Sequence, residues 1–246
     1  MKEVSVNGDL DYRASHLGKG RDYDAFIAND PFSDYMNAVE QTLLRRLIPA
    51  LFPDGLRASL DFACGTGRIT QIVAEYAQRS YGVDVSPTMI AEAREKSPRT
   101  EFFVKDLTAG DLDLPPVSLV TAFRFFGNAE QPLRVAVLEA LRRRLEPGGY
   151  LVINNHRNPW AVAEVLHRLT GGPSTMDLHH RKLTRLLAGA GFRVVRVHGV
   201  GGWLVRHALT RSPLLRSATG RWLESVSGIG LLAPLCPDMV VVAQRT

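Results

Sequence analysis

At 246 residues, with 45% hydrophobic and 22% charged side chains, the chain has the composition of a soluble globular protein and is unlike a disordered or fibrous one. A formal charge of +5 leaves a nucleic-acid or anionic partner open without requiring one, because most arginine-rich runs are solvated helix faces. Two cysteines far apart, Cys64 and Cys236, exclude a disulfide framework and a CxxC zinc site, and no apolar run approaches the roughly 20 residues that span a bilayer.

Residues 1–57 lack strand alternation. The segment holding Gly18 to Phe26 mixes glycine, charge and aromatic rings, as a covering lid does, and Tyr12, Arg21 and Tyr23 within it are candidate substrate contacts. Asp34 is the expected cap of a helix whose face carries Tyr35, Val39, Leu43, Leu44, Leu47 and Ile48, and Pro49 and Pro53 are expected to close it. This predicts a helical lid over residues 1–57, followed by a main domain over 58–246.

The main domain opens with an apolar run, Ala58 to Phe62, that meets Gly65 and Gly67 and then an amphipathic stretch from Ile69 to Ala77. Strand, tight turn and helix in that order place bare backbone and unpaired N–H groups above the end of a strand. Asp61 on that strand repels a pyrophosphate and suits an ammonium group, so a nucleoside with a cationic, amino-acid-like tail is the expected guest. Ser80 to Val83 is a second strand ending in Asp84, at about the spacing where dinucleotide-type folds put an acid on ribose hydroxyls. A helix follows from Ser86-Pro87. Glu101 to Val104 is a third strand and delivers Lys105, Asp106 and Leu107 to the same edge, so that carboxylates gather beyond successive strands.

Val117 to Phe123 predicts a fourth strand leading into Arg124-Phe125-Phe126, whose rings either fill the core or wall a flat base. A helix from Gln131 to Leu145, a Pro147-Gly148-Gly149 turn and a strand from Tyr150 to Ile153 come next. Asn154, Asn155, His156, Arg157 and Asn158 are expected to face the crevice at that strand's end. Helices near Pro159 and from Arg181 to Ala190 lead to an alternating strand, Gly191 to Val197. Residues 205–235 are expected to be a helical insertion, and Gly228 to Leu235 either touches a membrane surface or returns, buried, toward a last strand from Met239 to Ala243. Seven strands alternating with helices predict an α/β, doubly wound, Rossmann-like and mostly parallel sheet.

Asp61 to Gly67, Gly82 to Ile90, Lys105-Asp106-Leu107 and Leu145 to Gly149 together resemble the class I S-adenosylmethionine-dependent methyltransferases, in particular the small-molecule branch that includes the ubiquinone/menaquinone-biosynthesis type. The resemblance spans roughly Ala58 to Ile153, and the rest matches only in architecture. It implies S-adenosylmethionine as cofactor, leaving S-adenosylhomocysteine, with a cofactor site of Asp61, Ala63, Gly65, Gly67, Asp84, Val85, Met89, Asp106, Leu107 and Phe123. Asp84 would take the ribose hydroxyls, and Asp106 with Leu107 the adenine. Arg124, Phe126 and Arg206 join Tyr12, Arg21 and Tyr23 as substrate candidates, and His156 is the candidate general base for a hydroxyl acceptor. Ala63 stands where the family most often has glycine, and Ser118 where an aspartate is usual early in the fourth strand.

The expected reaction is in-line methyl transfer to an oxygen or nitrogen of a small molecule, a metabolite, sugar or lipid-linked intermediate, without a metal, in the cytoplasm. Arginines in the leading and C-terminal segments would suit an anionic acceptor. A nicotinamide oxidoreductase fits poorly, since Gly65 to Thr70 satisfies only part of G-x-G-x-x-G. A non-catalytic S-adenosylmethionine-binding protein remains the main alternative. Nucleic acid is not the expected acceptor, because Phe123-Arg124-Phe125-Phe126 occupies the place of the Asn/Asp-Pro-Pro-aromatic motif of amino-base methyltransferases.

Overall fold

The computed structural model describes residues 29–156, 158–172, 176–201, 217, 219, 220, 222 and 230–246. The lid candidates Tyr12, Arg21 and Tyr23, and also Arg157 and Arg206, lie outside these residues, as does most of the insertion expected at 205–235.

Helix α1 runs from Pro31 to Leu51. Its cap is Asp30, whose carboxylate accepts the Ser33 N–H at 3.0 Å, with Pro31 supplying a preset first turn. Asp34, the cap expected from sequence, lies one turn inside and donates its own N–H to the Asp30 carbonyl. Pro49 does not end the helix. Its missing N–H would have met the Arg45 carbonyl, and the Tyr76 hydroxyl donates to that oxygen at 3.4 Å instead.

The strands are β1 (Leu56–Phe62), β2 (Ala77–Asp84), β3 (Glu101–Val104), β4 (Val117–Ala122), β5 (Leu145–Asn155), β6 (Phe192–Val200) and β7 (Asp238–Arg245). Between them lie α2 (Thr70–Ala74), α3 (Pro87–Lys96), α4 (Gln131–Arg144), α5 (Val162–Leu169) and α6 (His180–Gly189), and a short 3-10 turn (Gly230–Leu235) precedes β7. They form one sheet in the order β3-β2-β1-β4-β5-β7-β6, parallel except for β7, which runs antiparallel to both β5 and β6. The helix expected over Ile69 to Ala77 shrinks to α2, because Ala77 already pairs with Leu56 in the sheet. The Pro147-Gly148-Gly149 turn is absorbed as an irregularity at the start of β5, where the register against β4 slips between Val117 and Leu119.

Both faces of the sheet are covered, so its central strands β1 and β4 are buried at nearly every position instead of alternating. In β7, Val240 and Val242 pack with Leu44, Leu47 and Ile48 of α1, whereas Val241 and Ala243 join α4 and α6 on the other face. Helix α1 is therefore one layer of the main core. The 3-10 turn lies against β6, where a Cβ on Gly199 would stand 2.5 Å from the Cys236 sulfur. Of the expected return from Gly228 to Leu235, Ala233 is buried and Leu235 is exposed.

Candidate functional site

The chain order reverses between β1 and β4, and an open parallel sheet holds ligands beyond the carboxyl ends of its strands at such a switch point. A cleft with about 910 Å³ of empty space, counted out to its open mouth, lies there. Each of β1 to β5 contributes the residues that follow it.

Beyond β1, Phe62, Ala63 and Gly65 form the wall. Ala63 has φ of +51° and Gly65 +54°, both left-handed. For an alanine this conformation is strained, which accounts physically for the glycine usual at this place in the family. A Cβ built on Gly65 would meet nothing within 4 Å, so the backbone there is bare toward the cleft. Gly67 serves differently. A Cβ on it would stand 3.1 Å from Ala93, so it lets the turn close onto α3 and does not line the cleft.

Beyond β2, Asp84 is fixed by two main-chain amides. Gly65 N–H donates to its Oδ2 and Ser86 N–H to its Oδ1, each at 2.9 Å. The two amides orient this carboxylate on the cleft wall, and a carboxylate is the acceptor that suits the hydroxyls of a vicinal diol. Val85 and Met89 add apolar wall beside it. Lys105, Asp106 and Leu107 follow β3, with Asp106 Oδ1 accepting both the N–H and the hydroxyl of Thr108 at 2.8 Å. Phe123, Arg124 and Phe125 follow β4, and His156 follows β5. Arg124 is left-handed, with φ of +57°.

Three expectations need correction. Asp61 is buried beneath the turn and is not on the wall; its oxygens accept the hydroxyls of Thr70 at 2.6 Å and Thr121 at 2.7 Å. Burial pushes its carboxyl up to about 6, and the two threonine hydrogen bonds pull it back only in part. Phe126 is wholly buried in the core, edge-on to Phe125 at 5.2 Å. Asn154, Asn155 and Asn158 are also buried, so among the described residues of that polar run it is His156 that reaches the cleft.

Six lining residues were not named as site candidates, and of these Phe62 and Val83 read as buried strand. Leu133 and Val137 read as the ordinary apolar face of α4, Asn128 as loop, and Lys105 as flank to Asp106. Only the position of Lys105 directly after a strand carried a usable signal.

The cleft fits a purine nucleoside with an amino-acid tail. It offers an oriented carboxylate for a diol, a second carboxylate beside Leu107, bare backbone at Gly65 and apolar walls from Val85, Met89 and Phe123. Comparison with known proteins agrees. Residues 60–149 match the family model described as a methyltransferase domain. The chain is 34% identical over 142 residues to the trans-aconitate 2-methyltransferase of Azoarcus sp. (strain BH72), covering 55% of this chain and 54% of that protein. It is 32% identical over 110 residues to the demethylmenaquinone methyltransferase of Tropheryma whipplei (strain Twist), covering 45% of this chain and 46% of that protein. The chain thus spans about half the length of these relatives. Among solved structures, the magnesium protoporphyrin IX methyltransferase of Synechocystis PCC 6803 with bound SAH shares the fold, with a TM-score of 0.62 at 17% identity over 95% of this chain and 97% of that one. Over residues 60–149 the chain is thus similar to a methyltransferase domain, and it shares the fold of a methyltransferase solved with bound SAH.

Proposed function

We propose that the protein transfers a methyl group from S-adenosylmethionine to an oxygen or nitrogen of a small anionic molecule held in this cleft. The observation that carries the reading is Asp84, presented between the bare Gly65 backbone and the Asp106–Leu107 edge. Asp84 takes the two ribose hydroxyls, Leu107 and Val85 hold the adenine, and the Ala63–Gly65 turn holds the methionine portion. Asp61 acts from beneath, as a buried acceptor that fixes the strand end through Thr70 and Thr121.

The bound donor supplies a methyl carbon already activated by a positive sulfur, so the protein's tasks are alignment and exclusion of water. Phe123, Phe125, Leu133 and Val137 make the apolar wall that excludes it. Lys105 and Arg124 on the same cleft suit an acceptor bearing carboxylate or phosphate. The 34% identical relative is named for trans-aconitate, a polycarboxylate, which favours that choice. His156 takes the proton when the acceptor is a hydroxyl, and an acceptor already ionised needs no base. Of the cap expected over residues 1–57, α1 packs on the sheet as a layer of the core, and residues 1–28 lie outside the described residues.

The test incubates the protein with S-adenosylmethionine and a panel of small carboxylic acids, alcohols and amines and reads product mass. One acid gaining a single methyl group supports the reading. Donor binding without turnover on any compound class moves the protein to the non-catalytic alternative.

A further inference from the structure

The buried face of α1 carries Met36, Leu44 and Ile48 one turn apart, and the position between Met36 and Leu44 is Glu40, wholly buried. A leucine there would be the ordinary core solution, and replacing a buried ion pair by apolar packing is often neutral or stabilising. Glu40 instead reaches two loops of the cleft. Its Oε2 accepts Arg68 Nη1 at 2.9 Å, and Arg68 immediately follows Gly67 of the turn beyond β1. Its Oε1 accepts Asn154 Nδ2 at 2.6 Å. The same amide nitrogen stands 3.3 Å from Asp238 Oδ2, and the Asn154 Oδ1 accepts the backbone N–H of Arg124, the left-handed residue on the cleft wall. Arg68 also donates to Asn37, one turn before Glu40.

The charges fit this arrangement. Burial works against an ionised Glu40, but the Arg68 and Arg124 guanidiniums and the hydrogen bonds it accepts hold its carboxyl below the usual range. Burial and the Glu40 charge push the neighbouring Asp238 carboxyl well up.

We propose that Glu40 is a positioning residue for the cleft, which through Asn154 holds Arg124 in its left-handed conformation and through Arg68 holds the turn beyond β1. Helix α1, outside the segment matched by the family model, is thereby tied to both the donor half and the acceptor half of the site. The binding arm of the test below rests on the donor reading of the cleft, and the exchange arm does not.

The test compares wild type with Glu40→Gln and Asn154→Ala by amide hydrogen exchange and by calorimetric titration with S-adenosylhomocysteine. Glutamine keeps the volume but presents an NH2 group to one of the two donors that Glu40 accepts. The expected result is exchange faster by about tenfold or more in the peptide 121–128, little change in 239–245, and S-adenosylhomocysteine bound about tenfold more weakly. Wild-type exchange at 121–128 in a folded variant, or the same acceleration in both peptides, overturns the proposal, since uniform acceleration reports global stability alone. If Glu40→Gln does not fold, Asn154→Ala decides on the same readouts, because it cuts the link to Arg124 and leaves the Glu40–Arg68 pair in place. If wild type does not bind S-adenosylhomocysteine, the donor reading fails, and the exchange arm still decides this proposal.

Discussion

Replacing Asp61 by asparagine should flatten the dependence of stability on pH between about 4 and 7. The carboxyl sits under the turn with both oxygens occupied by threonine hydroxyls, and burial raises it from its ordinary 3.8 to about 6. Between those two values the folded chain holds this proton more tightly than the unfolded chain does. Unfolding free energy therefore falls as pH rises through the window, and the cost is fully present above about 6. A gap of roughly two pH units, at about 1.4 kcal/mol each, amounts to about 3 kcal/mol. Asparagine has no proton to lose, and the threonine hydroxyls can rotate to accept from its NH2 group. Urea unfolding of both proteins at pH 4, 5, 6 and 7 measures the effect. Groups that titrate alike in both, such as Asp177 held low by the hydrogen bonds it accepts from Arg134 and Lys182, cancel in the difference. Two curves that stay parallel over the window would refute the reasoning and place Asp61 in contact with water.

Ala63→Gly removes the cost of a left-handed alanine, about 1 kcal/mol, partly offset by the greater freedom of glycine in the unfolded chain. Thermal unfolding should show a Tm unchanged or raised by a few degrees, and a clear fall would mean the φ of Ala63 is not +51°. Gly82→Ala should destabilise by about 1–3 kcal/mol, because its Cβ would stand 2.5 Å from the buried Phe102 ring. Adding Phe102→Leu should recover part of that loss in denaturant unfolding, and independent, additive effects would contradict the packing assigned to β2 and β3.

What could be read from the sequence was what the chain writes locally. Each of the first three strands ends in glycine or acid within a few residues, so the carboxyl edge, its order along the chain and Asp84 were legible from spacing. Pro31 after Asp30 was an available start signal for α1, and Asp34 competed with it only because its side chain is of the same type. The polar interior was not legible. Glu40 meets Arg68 28 residues away and Asn154 114 residues away, and nothing in an i, i+4 pattern separates a buried glutamate from a solvated one. Asp61 and Phe126 mislead for a related reason. Each stands next to a residue that lines the cleft: Asp61 precedes Phe62 in β1, where alternation sends neighbours to opposite sides, and Phe126 follows Phe125 in a turn that directs it into the core. Leu133 and Val137 read as core, which they also are, since the cleft opens directly onto the α4 face.

The central claim is that the Asp84 edge receives the nucleoside of the methyl donor, and calorimetric titration of S-adenosylhomocysteine into wild type and Asp84→Ala tests it most directly. The account predicts saturable binding to wild type and a loss of about a hundredfold or more in the variant, since two hydrogen bonds to a carboxylate are removed together. Equal affinity in the two proteins, with the variant folded, would contradict it.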